Sequence, residues 1–143
     1  MESSLKIILS SVFMMMAFSS ANSQTRNFQG DTQIEMNVNA NNEYLASEEK
    51  MQKSLTEALL KHEGDSLLVT NLQKSQKQWE IWRDAEIEAF YPPYKDSIEF
   101  YGSMEPLCRY SKLIDWTEQR IKQLEIYSKD VQSDDACGPG KLL

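Results

Sequence analysis

The chain has 143 residues, 26% of them charged, and a formal net charge of −7 at pH 7. This length fits one domain with a modest hydrophobic core. An acidic surface repels phosphates and anionic lipid headgroups, so a nucleic-acid partner is not expected and a basic partner is favoured.

The first 23 residues are predicted to be a signal peptide. Lys6 precedes an apolar run at residues 7–18, and the small residues Ala21 and Ser23 precede Gln24. This order predicts cleavage before Gln24 and a periplasmic or secreted mature chain. The apolar run is shorter than the about 20 residues that span a bilayer, so we expect no stable membrane anchor after cleavage. The alternative is a buried N-terminal helix.

Residues 24–40 show no periodicity and are predicted to form a loose lead-in to a helical domain over residues 41–129. The first helix is expected from about Asn42, with Glu48 and Glu49 pointing into solvent. Its apolar stripe is predicted to contain Tyr44, Met51, Leu55, Ala58, Leu59 and His62.

A second helix is predicted over residues 66–90, capped by Asp65 or Ser66. It should end before Pro92, because the residue preceding a proline avoids the helical conformation. Its predicted apolar face contains Leu68, Leu72, Ser75, Trp79, Trp82 and either Ala89 or Phe90.

The third helix is predicted to begin with Ser103 as N-cap and Pro106 in the first turn, and to end near Ser128. Residues 130–143 are expected to form a C-terminal tail. Three amphipathic helices predict an all-α fold, a small antiparallel bundle. The heptad positions of the third helix include Leu107, Tyr110, Ile114, Thr117, Ile121 and Leu124, widened by Leu113 and Trp116.

One face of the second helix combines apolar and polar residues. Gln76, Trp79, Arg83 and Glu86 follow one another at helical spacing. The structural interpretation places Trp79 in the core, with Arg83 lying over apolar surface and paired with Glu86.

No catalytic, cofactor or metal site is predicted from the sequence. The single histidine, His62, is interpreted as a helix-end residue. Glu80 and Asp84 are one helical turn apart, as an acid/base pair or two metal ligands would be, but no ligand motif accompanies them. We interpret them as part of a solvated face.

Two cysteines remain in the exported chain, Cys108 and Cys137. An oxidising compartment allows them to form a disulfide. The bridge requires the tail to fold back along the third helix, so two free thiols remain the alternative. The pair lacks the Cys-x-x-Cys spacing of redox and zinc sites.

Two segments together carry a family resemblance. The segment from Gln76 to Glu86 and the later segment from Tyr101 to Leu124 resemble the LprI-like family, which is named for a lysozyme inhibitor. The resemblance covers about residues 35–126. The matching positions, which we expect to be structural, are Gln76, Trp79, Arg83, Asp84, Ala85, Gly102, Ser103, Met104, Pro106, Leu113, Thr117, Arg120 and Leu124.

The chain also departs from the family pattern. Members usually carry cysteines where this chain has Asn39, Ile87 and Lys112, so the usual disulfides of the family are not expected here. Losing a bridge typically costs a small secreted domain ~2–5 kcal/mol. Ile87 and Trp82 would offset part of that cost by burying apolar surface.

The resemblance implies an exported, non-catalytic binding protein similar to a lysozyme inhibitor. Animal-type lysozymes are basic, which suits an acidic partner. The alternative is a periplasmic or cell-envelope interaction or scaffold module with another protein partner. Binding or hydrolysis of a small molecule is the third interpretation, and no convergent set of polar groups supports it.

Overall fold

The computed structural model describes residues 26–93, 100–129 and 138. The predicted signal peptide, Cys137 and nearly all of the predicted tail lie outside the described residues. Within them the chain is all-α, with three helices and no strand. The helices are α1 (Gln33–Lys61), α2 (Ser66–Phe90) and α3 (Glu105–Ser128). None of these helices has the length and apolarity that crossing a membrane requires.

The helices run down, up and down. Contacts pair the start of α1 with the start of α3, where the Asn37 side chain donates to the Ser103 carbonyl over 3.1 Å. At the other end, the His62 ring nitrogen lies 2.8 Å from the Tyr127 carbonyl oxygen. Helices α1 and α3 are therefore parallel and closely packed, and α2 runs antiparallel to both. The all-α bundle expected from the sequence is confirmed.

Helix α1 begins at Gln33, nine residues before the predicted start near Asn42. A capping box explains the early start. The Glu35 amide donates to the Thr32 hydroxyl, and the Thr32 amide donates to the Glu35 carboxylate, so two amides at the helix start are satisfied. The expectation of a loose lead-in as far as residue 40 was therefore wrong for residues 33–40.

The buried positions of α1 follow a heptad built largely from small side chains. These positions are Ala40, Ser47, Met51, Ser54 and Ala58. Small residues let the two backbones approach, and the larger side chains of α3 fill the space between them. The interior residues of α3 are Leu107, Leu113, Ile114, Thr117, Arg120, Ile121 and Leu124.

The bounds of α2 agree with the prediction, and Asp65 is its N-cap, accepting from the Leu68 amide over 2.9 Å. The buried stripe is different. Its interior residues are Leu72, Gln76, Arg83 and Ile87, whereas Ser75, Trp82 and Phe90 are exposed. The side of α2 that faces the core therefore differs from the predicted apolar stripe, because it includes the polar residues Gln76 and Arg83.

Helix α3 starts two residues after the predicted cap. Met104, not Ser103, is the N-cap, and it makes no side-chain capping bond. Gly102 has φ +73°, a left-handed conformation that favours glycine and turns the chain into the helix. Pro106 lies in the first turn, as expected.

The core has two parts. In the lower cluster Met51 and Ala58 of α1, Leu72 of α2, and Ile121 and Leu124 of α3 pack together. In the upper cluster Phe28 packs with Ala40, Leu107 and Ile114. The segment before α1 therefore closes the upper core, where α2 contributes no buried residue.

Arg26 fastens this N-terminal segment to the helices. Its guanidinium donates to Asp115 and Glu118 of α3 and to Glu43 of α1. Burial disfavours the charged guanidinium, but the hydrogen bonds and charges of Glu118 and Asp115 outweigh that penalty and raise the pKa of Arg26.

The capping box predicts how strongly the start of α1 depends on one hydroxyl. Replacing Thr32 by Ala should lower the free energy of unfolding by about 1 kcal/mol, because the Glu35 amide loses its acceptor. Thr56→Ala is the matched control: this threonine lies inside α1 and bonds the Gln52 carbonyl, so alanine should be neutral or stabilising. Urea denaturation measures both variants, and equal losses would contradict the assignment.

Candidate functional site

An ion pair joins all three helices at the centre of the molecule. Arg83 of α2 donates from Nη1 to both carboxylate oxygens of Glu48 of α1, at 2.9 Å each. The hydroxyl of Thr117 of α3 donates to the same Glu48 oxygen Oε1 over 3.1 Å. Arg83 also donates from Nε and Nη2 to Asp84. Glu48 therefore accepts from both of the other helices.

Arg83 is held in its charged form. The residue is only 8% exposed, and its guanidinium carbon lies 5.2 Å from the centre of the Trp79 ring. Burial disfavours the charge, but the hydrogen bonds to Asp84 and the charge of Glu48 outweigh it and raise the pKa of Arg83. A permanently charged arginine in this position is a structural anchor.

Gln76 links a second arginine to α2. The Nε of Arg120 in α3 donates to the Gln76 side-chain oxygen over 2.9 Å. The Gln76 amide nitrogen then donates to Glu80 over 2.9 Å and contacts the sulfur of Met51 at 3.5 Å. The amide therefore faces the cation with its oxygen and the carboxylate with its nitrogen, which fixes its orientation.

The acceptors that surround Arg120 are neutral. Besides Gln76, its guanidinium donates to the side-chain oxygens of Gln123 and Ser75. Burial lowers the pKa of Arg120, with only a partial opposing effect from Tyr127 and Glu80. The sequence predicts that both arginines anchor carboxylates or helix ends. Arg83 bonds carboxylates, but the prediction is wrong for Arg120, which is coordinated by amide and hydroxyl oxygens.

The structure brings together six of the thirteen predicted motif residues. Gln76, Trp79, Arg83, Thr117 and Arg120 belong to or line the polar network, and the exposed Asp84 lies at its edge. Gly102 and Ser103 lie at the start of α3, away from it. The predicted partner of Arg83, Glu86, is not the one found; Glu48 and Asp84 take that role.

Sequence reasoning missed two acidic members of the network. Glu80, interpreted as part of a solvated face, is half-buried and accepts from Gln76. The other is Glu48. It was expected to point into solvent beside Glu49, but its side chain is only 26% exposed and is paired with Arg83. The available signal was its position three residues before Met51, next to the buried stripe. That signal is weak because the adjacent Glu49 has the same side chain, and small errors in the predicted orientation of the helix would exchange the two.

The family positions that lack cysteine have other contacts here. The Asn39 amide donates to the Gln29 carbonyl over 2.7 Å, which ties the N-terminal segment to α1. Ile87 is buried. The Lys112 ammonium lies 5.1 Å from the ring centre of Phe90 and 5.9 Å from that of Trp116.

A row of aromatic side chains lies between α2 and α3. Trp116 contacts Trp82 at 5.4 Å and Phe90 at 5.8 Å between ring centres. Trp82 is 46% exposed and Phe90 is 50% exposed. We call Trp82, Phe90, Trp116 and Lys112 the aromatic seam. Unlike the polar network, it presents large side chains to solvent.

His62 and Cys108 lie outside both sets of residues. His62 is the C-cap of α1, which confirms its interpretation as a helix-end residue. Cys108 is half-buried near the start of α3. Because Cys137 is outside the described residues, a disulfide between the two remains a prediction.

Fold and network together define a class: a small three-helix protein in which buried arginines, amides and carboxylates connect the helices. The chain belongs to the lysozyme inhibitor LprI family, whose model matches residues 23–124. No curated protein and no solved structure gave a significant match. The family resemblance drawn from the two sequence segments is thus confirmed.

A double-mutant cycle tests the central ion pair. Arg83→Gln should lower the free energy of unfolding by ~2–4 kcal/mol, somewhat below the cost of breaking a fully buried pair, because Glu48 still reaches solvent. Once Arg83 is replaced, Glu48→Gln should cost little more, so the cycle should give a coupling energy above ~1 kcal/mol. Glu49→Gln is the control. Additive effects of Arg83 and Glu48 in urea denaturation would contradict the pairing.

Proposed function

We propose that this chain is an exported, non-catalytic protein that binds a lysozyme and inhibits it. The observation that carries the proposal is membership of the lysozyme inhibitor LprI family over most of the chain. The polar network supports a non-catalytic role, because its side chains bond to one another across the helices and so act in stability.

The charge balance favours the same partner. A net charge of −7 gives the chain a negative potential, which attracts a basic protein and accelerates its association. Animal-type lysozymes are basic, so attraction between opposite charges would increase the rate at which the complex forms. The alternative is an envelope protein partner that is not a lysozyme.

Export is the part of the proposal that depends on residues 1–23. The order of charge, apolar run and small residues predicts cleavage before Gln24, and the family match begins next to that position. N-terminal sequencing of the protein recovered outside the cytoplasm should start at Gln24. A start at Met1 would contradict the predicted cleavage.

Inhibition is tested with the purified chain of residues 24–143. Added at a near-stoichiometric ratio, it should slow the lysis of a peptidoglycan suspension by a basic animal-type lysozyme. Raising the salt concentration should weaken binding mainly by slowing association, because the attraction is screened over ~8 Å near physiological ionic strength. An unrelated acidic helical protein of similar size is the control. Full lysis at excess folded protein, across several lysozymes, would contradict inhibition.

A further inference from the structure

The aromatic seam is a contiguous patch, which distinguishes it from scattered exposed apolar residues. Trp82 and Phe90 both contact Trp116, so three large rings adjoin one another between α2 and α3. About half of the Trp82 and Phe90 surface is open to solvent. Tryptophan and phenylalanine are enriched at the centres of protein interfaces, and tryptophan is among the residues that contribute most to binding energy.

The ring faces of this region receive cations. Lys112 lies over Phe90 and Trp116, Arg83 lies over Trp79, and Arg109 lies 5.2 Å from the ring centre of Tyr91. An aromatic face is electron-rich and attracts ammonium and guanidinium groups. Trp82 is 46% exposed, so part of its ring is accessible to a cation from another molecule.

A carboxylate lies beside the exposed rings. Glu86 is one helical turn from Trp82 and one turn from Phe90, so it is on the same side of α2 as both. The cation of the seam, Lys112, lies over Phe90 and Trp116. With a net charge of −7 for the chain, Glu86 beside Trp82 complements a cationic side chain of a basic partner.

We propose that the aromatic seam is the surface that binds the partner, and that a lysine or arginine of a basic protein lies against Trp82 beside Glu86. This inference rests on the proposed function, since it names the surface through which a basic lysozyme is held. The polar network then stabilises the fold behind the seam, and the exposed rings supply the contact.

Two pairs of variants test the seam, with affinity for a basic animal-type lysozyme measured by isothermal titration calorimetry. Trp82→Ala should weaken binding at least about tenfold, as expected when a central tryptophan is removed. Ile81→Ala is the matched control, because Ile81 is 53% exposed on the same helix but points about 100° away from Trp82. It should leave the affinity nearly unchanged.

The second pair separates local charge from net charge. Glu86→Lys and Glu88→Lys change the net charge of the chain equally, but the two side chains point about 200° apart on α2. Glu86→Lys should weaken binding several-fold more than Glu88→Lys, because it places a cation beside the one that Trp82 receives. Thermal unfolding identifies any variant that is not folded, and if Trp82→Ala fails to fold, the glutamate pair decides.

The outcomes are distinguishable. If the parent chain binds the lysozyme but each variant matches its control, the seam is overturned and the proposed function stands. If the parent chain does not bind the lysozyme, both proposals are overturned. Sedimentation equilibrium adds a further outcome: a dimer of the parent chain that becomes monomeric in Trp82→Ala would show that the seam binds a second copy, which also overturns the inference.

Discussion

The attachment of α2 depends on the pairing of Arg83 with Glu48. Helices α1 and α3 pack closely through small residues facing large ones, whereas α2 approaches them with long polar side chains as well as Leu72. A carboxylate that accepts from both other helices fixes the rotation of α2 about its axis. That rotation turns Arg83 and Gln76 inward and leaves Trp82 and Phe90 at the surface.

The two buried arginines, Arg83 and Arg120, are stabilised by different kinds of acceptor. Arg83 is stabilised by carboxylates that are themselves partly open to water, so the pair keeps part of its hydration. Arg120 donates to neutral oxygens. One of these belongs to Gln76, whose amide nitrogen in turn donates to the negatively charged Glu80. Satisfied networks of this kind specify one packing arrangement, because any slippage of a helix leaves a polar group without its partner.

The sequence predicted the helices best where local signals mark their ends. Asp65 and Pro92 mark the observed bounds of α2. The start of α1 was missed because its capping signal, Thr32 with Glu35, was not recognised and its interior residue Ala40 is too small to stand out. At the site, helical spacing correctly grouped Gln76, Trp79 and Arg83. It did not reveal Glu48, because an ion pair between two helices produces no periodic pattern in the sequence. Trp82 was expected inside because of its size, but buried hydrogen bonds determine the inward face.

The parallel pairing of α1 with α3 has a consequence for the order of folding. Contacts between these helices join residues 65 to 69 positions apart, as in His62 with Tyr127 and Glu48 with Thr117. Loop-closure entropy must be lost before these contacts form, which raises the contact order above that of a helical hairpin. A chain emerging from its amino terminus has no large partner for the small-residue face of α1 until α3 follows. Packing of α1 against α3 therefore waits for residues 105–128, the last of the three described helices.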